Sequence, residues 1–119
     1  MVKEDFQRKS TDFTRIKLDD FQNFDIKHTD DTKLDTYVRL SSIGTFYEGL
    51  GVLVKNGQVK PELVDDLMSH SIIDYWEKIR PFILQQRKER NYPIFGEWTE
   101  YLYDQIKPIY DKQHPELAP

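Results

Sequence analysis

The sequence predicts an all-α fold, and three observations predict it. Apolar residues recur at helical spacing over long segments, those segments are separated by Gly, Pro and Asn, and no run alternates with a period of two. The chain has 119 residues, the size of one ordinary domain. The expected architecture is a small bundle of four main helices, with one or two short helices before it. By segment, residues 1–31 are a polar N-terminal stretch, 32–111 the helical core and 112–119 a flexible tail.

In the N-terminal stretch, Phe6, Phe13 and Ile16 share one helical face, and Leu18 and Phe21 share another. Asp30 and Asp31 supply a start signal for the first main helix, expected over 32–55. Ile43, Phe46, Tyr47, Leu50, Leu53 and Val54 form its expected buried stripe. Asn56-Gly57 ends it, because both residues tolerate the left-handed conformation. Pro61 suits the first position of a short second helix, which turns Leu63, Val64, Leu67 and Met68 inward. Ser69-His70-Ser71 is read as a break, and Ser71 with Asp74 as a capping box for a third helix reaching Arg90. Ile72, Trp76, Ile79 and Ile83 are its stripe. Pro81 takes away one backbone donor, so a kink is expected there. After Asn91-Tyr92-Pro93, a fourth helix is expected over 94–111, with Phe95, Trp98, Leu102, Ile106 and Ile109 on one side and Pro108 fraying its end.

Composition narrows the function classes. Net charge is -4, which disfavours a surface that grips nucleic acid as a whole. The absence of cysteine excludes disulfides, thiolate metal sites and a cysteine nucleophile. No stretch approaches the roughly 18 apolar residues of a membrane span, and the N-terminus lacks a signal-peptide core, so a soluble cytoplasmic protein is expected.

One cluster goes beyond patterning. Ser41, Gly44, Glu48 and Gly51 fall at i, i+3, i+7 and i+10 of the first helix, a narrow face of small residues around one carboxylate. A helical glycine costs about 1 kcal/mol relative to alanine, and close approach of another helix is the usual compensation. Ser41, Gly44 and Gly51 are therefore expected to form a packing face. Glu48 needs a partner if it is buried, and Arg80 is the expected one, in an ion pair that fixes the helix crossing. Elsewhere, His28, Asp30, Asp31 and Asp35 match no calcium loop, and the three histidines are too scattered for a zinc site. No phosphate loop is present. No metal, cofactor, small-molecule substrate or catalytic residue is expected. Arg87, Lys88 and Arg90 make a basic helix end, and Tyr75 and Tyr101 belong to a surplus of rings suited to an interaction patch.

Two segments, Phe46-Tyr47-Glu48-Gly49-Leu50-Gly51-Val52-Leu53-Val54-Lys55-Asn56-Gly57 and Ile72-Ile73-Asp74-Tyr75-Trp76-Glu77-Lys78-Ile79-Arg80-Pro81, resemble a family of uncharacterised prokaryotic proteins. That family carries "FFEGLGVLVKRG" and then "YWEKLRP". The likeness spans roughly residues 35–105, with Tyr47 in place of phenylalanine and Asn56 in place of a basic residue. It implies an all-helical domain of unknown function. Many members place a membrane helix ahead of it, whereas the first 30 residues here are polar. No family site residues transfer. The expected role is a non-catalytic protein-interaction or oligomerisation module. The alternative is a nucleic-acid-associated protein that uses the basic helix end.

Overall fold

The computed structural model describes residues 31–117, and every regular element among them is helical. Helix α1 spans Asp31–Lys55, α2 Pro61–Glu89 and α3 Glu97–Gln113, followed by a 3-10 turn at Pro115–Leu117. The short helices expected before residue 31 lie outside the described residues, as do His28 and Asp30.

Among the described residues, three main helices replace the expected four. The break expected at Ser69-His70-Ser71 is a kink inside α2, at Met68, whose φ of -154° and ψ of 27° leave the helical region. Serine and histidine lower helix propensity only slightly, so the packing of Ile72 and Ile73 carries the helix through them. Ser71 accordingly lies inside α2 and starts no new helix. The kink expected at Pro81 is also absent, since Met68 is the only non-helical position in α2. Pro81 and Glu77 both face solvent, where water can take the carbonyl that the proline leaves unbonded. In the same way α3 runs through Pro108 to Gln113, beyond the end expected at residue 111.

The chain divides into two compact units, residues 1–43 and 44–119. In the first, the described part is the opening of α1. There Arg39 Nε donates to Asp35 Oδ2 at 2.9 Å, and Ser42 Oγ donates to the Val38 carbonyl at 2.8 Å.

In the second unit α2 and α3 run antiparallel. Ile83 lies under Gly96, Trp76 beside Tyr103, and Asp65 near His114, a register that falls along one helix as it rises along the other. Ile72, Trp76, Leu102 and Ile106 are completely buried between them. Each such side chain stabilises the fold by about 1.5–3 kcal/mol. The turn between them is fixed by a Schellman motif. Asn91 takes the left-handed conformation (φ 51°), Tyr92 N donates to the Arg87 carbonyl at 3.0 Å, and Asn91 N donates to the Lys88 carbonyl at 3.4 Å. Helix α1 ends by the same device, with Gly57 at φ 76° and Gln58 N donating to the Leu53 carbonyl at 2.9 Å.

From Gly44 onward α1 crosses α2 and the start of α3. Its buried residues there are Tyr47, Gly51 and Val54, spaced by four and three. Tyr47 meets Tyr75 edge-on at 5.2 Å. The expected stripe is therefore corrected: Phe46 and Leu53 are 57% and 40% exposed. Helix α1 is apolar around most of its circumference, so periodicity could not choose a side. Gly51 chooses it, because only that side lets two backbones meet. In α2 before the kink, Val64 is buried, but Leu63 and Leu67 face solvent against expectation.

Candidate functional site

Glu48 sits where α1 meets the first turn of α3. Its Oε1 accepts from the Thr99 backbone N–H at 2.7 Å and from Thr99 Oγ1 at 2.7 Å. Thr99 is the third residue of α3, and the first turn of any helix has N–H groups with no partner inside it. The residue before the helix is Gly96, which has no side chain to cap with. The Phe95 carbonyl, the acceptor four residues back, receives Arg87 Nε at 2.6 Å. Glu48 thus caps α3 from another helix, with its negative charge at the positive end of the helix dipole.

The Glu48–Arg80 ion pair expected from the sequence is not formed; Glu48 binds Thr99 and Arg80 is exposed. One backbone N–H and one hydroxyl, both of Thr99 and both at 2.7 Å, satisfy the carboxylate without the cost of desolvating a guanidinium. Next to this cap, a Cβ on Gly51 would overlap the Trp98 carbonyl oxygen. About two turns before Gly51, a Cβ on Gly44 would come within 2.8 Å of the Tyr75 hydroxyl. Ser41 is exposed and belongs to the first unit. Thr99 escaped the sequence reading because a threonine in an amphipathic helix carries no mark of its own. The available signal was its place three residues after Gly96.

Arg80 instead lines an open cleft of about 370 Å³ between α2 and α3, with Trp76, Glu77, Glu100, Tyr103 and Asp104. The Tyr103 hydroxyl donates to Glu77 Oε2 at 2.7 Å. Burial, then Glu77, pushes the Tyr103 hydroxyl up to about 12. Burial and Glu100 raise Asp104, against the pull of Arg80. Two of the three carboxylates are engaged, Glu77 by Tyr103 and Glu100 by Arg87 at 3.0 Å. What remains is a groove lined by charges of both signs. Among the described residues no cluster of His, Cys, Asp and Glu could hold a metal ion.

The expected interaction patch is dispersed. Tyr75 is buried, which pushes its hydroxyl up, so it belongs to the core. Arg87 is bound to the Phe95 carbonyl and Glu100, which ties the end of α2 to the start of α3. Tyr101 is half-buried, with Lys55 Nζ 5.6 Å from its ring centre. Lys88 and Arg90 are exposed. Arg87 was mistaken for a surface charge because sequence shows its helix position, not its acceptors.

Asp65 is the one buried side chain among the described residues with an unpartnered oxygen. It is 5% exposed, and its Oδ1 accepts nothing. Burial and then Asp66 raise its carboxyl above the ordinary 3.8, while His114 and a bond from Ser69 oppose. A carboxyl raised in the fold ionises first in the unfolded chain. Its stability contribution is full below 3.8 and is lost as pH rises through the folded value. Asp65→Asn is therefore expected to raise the melting temperature at neutral pH and to change it little near pH 3. Equal shifts at both pH values would show that charge is not the cause.

The outer side of α1 is the remaining candidate, and it is unlike a solvated helix face. In the second unit it presents Thr45, Phe46, Gly49 and Leu53, all exposed and none charged. A Cβ on Gly49 would meet nothing within 4 Å. Unlike Gly51, Gly49 is not required by any packing among the described residues. Among the described residues no helix is long and apolar enough to cross a membrane.

No curated protein and no solved structure matches the chain. A family model does, over residues 1–106, and by that match the chain belongs to the domain of unknown function family DUF4760.

Proposed function

We propose that this domain is a non-catalytic protein-interaction module of the prokaryotic cytoplasm, and that it binds through the outer side of α1. The supporting observation is the pairing of exposed Phe46 and Leu53 with Gly49, on a face without charge. Water solvates such a face poorly, and the glycine weakens the helix by about 1 kcal/mol with no return among the described residues. Another polypeptide seated at Gly49 recovers both. Aromatic and aliphatic anchors around a small-residue notch are the usual makings of an interface centre. The basic end of α2 supports the nucleic-acid alternative less, since Arg87 is held within the fold.

The test is site-specific photo-crosslinking in cells. A photoreactive residue replaces Leu53 on the proposed face or, as a control, the exposed Lys112 on α3. Polypeptide adducts from position 53 and not from position 112 are expected. No adducts from 53, or equal adducts from both, would remove the interaction reading.

A further inference from the structure

Resting on that reading, we infer that the partner on the outer side of α1 is a second copy of this chain, packed with α1 against α1 about a two-fold axis at Gly49. Two features favour a copy over an unrelated protein, and a third places the contact. The first is the symmetry of the pattern. Phe46 lies three residues before Gly49 and Leu53 four residues after it. When two such helices cross antiparallel at Gly49, Phe46 of each copy meets Leu53 of the other, and the two glycines face each other at the axis. A two-fold interface demands this self-complementarity, the same patch serving both sides.

The second feature is charge. The chain carries -4, so two copies repel, and they do so least when they meet through a face without charge. Between Thr45 and Val54 the only charged residue is Glu48, and its carboxylate is turned inward to Thr99. Neither like charges nor buried unpaired ones arise when this face meets itself.

The third is the contrast between two glycines on one helix. Gly51 is required by the Trp98 carbonyl; Gly49 has open space where its Cβ would be. A backbone approaching from another copy would give Gly49 the role that Trp98 gives Gly51. Two opposite effects of one substitution follow. Gly49→Ala removes a helix-weakening residue from the monomer but inserts methyl groups where the copies touch.

Sedimentation velocity on the full chain from about 1 to about 500 µM tests this, with melting of dilute samples alongside. A concentration-dependent dimer is expected. Phe46→Asp, at an exposed position, should weaken it at least about tenfold without lowering the dilute melting temperature. Gly49→Ala should weaken the dimer about tenfold while raising the dilute melting temperature by about 4 °C. A monomer throughout the range overturns the inference, and so does a dimer indifferent to both substitutions. If the Leu53 crosslinker then still captures a different polypeptide, the interaction reading survives and only the second copy is lost. If it captures nothing, both fall.

Discussion

Gly51→Ala is expected to lower the stability of this protein by about 2 kcal/mol, an overpacking cost of about 3 kcal/mol less what alanine returns as a better helix former. The added methyl would overlap the Trp98 carbonyl oxygen and press on the carbon it is bonded to. Neither atom can rotate away, because Trp98 lies in the first turn of α3 and its backbone position is shared with Thr99, the residue that Glu48 holds. The two helices must separate, or α3 must give up its cap. A gain of about 1 kcal/mol from the better helix propensity of alanine offsets only part of this. A chain of this size shifts by about 4 °C per kcal/mol, so the net loss lowers the melting temperature by about 8 °C. Gly49→Ala, two residues away in the same helix, serves as the internal comparison, since among the described residues its new methyl meets nothing within 4 Å. If both substitutions move the melting temperature alike, the close crossing at Gly51 is refuted.

That contrast also marks how far the sequence could be read. The heavy apolar stripe of α2 after its kink was legible, because Ile72, Trp76, Ile79 and Ile83 share one side and charged residues occupy the other. Both Schellman ends were legible, because few residues besides Gly and Asn accept a positive φ. The buried side of α1 was not. With apolar residues around most of its surface, Phe46 and Leu53 fit the period as well as Tyr47 and Val54 do. Choosing between them takes knowledge of where the neighbouring backbone passes. The kink at Met68 and the helical passage through Pro81 were hidden for a related reason. Local propensities differ by a few tenths to about 3 kcal/mol, and the burial of Ile72, Ile73 and Phe82 around them is of the same size. The site was half legible. Glu48 declared itself as a carboxylate in a face of small residues, but the acceptable partners of a carboxylate include backbone N–H groups, which sequence does not display. A search restricted to side chains finds Arg80.

Glu48→Ala should cost about 2–3 kcal/mol, because it strands a buried donor as well as losing a charge-assisted bond. Thr99 is 3% exposed, so water cannot replace the carboxylate there. Glu48→Gln retains an acceptor oxygen and forfeits the charge at the positive helix end, and about 1 kcal/mol is expected for it. Thr99→Val removes the hydroxyl donor and leaves the backbone donor, again at about 1 kcal/mol. Combined with Glu48→Ala, Thr99→Val should cost almost nothing more, since the hydroxyl has already lost its acceptor. That shortfall, about 1 kcal/mol of coupling, is the signature of a direct bond. Arg80→Met provides the opposite case. Arg80 faces the cleft beside Glu77, Glu100 and Asp104, so its effect should add to that of Glu48→Ala within about 0.5 kcal/mol. Denaturant titrations of the two double-mutant cycles decide between the partners. Coupling of Glu48 to Arg80 with none to Thr99 would mean that the helices are held by an ion pair after all. The reverse result would establish that α1 fixes α3 by completing its first turn, so that forming the third helix and docking it on the first are one event.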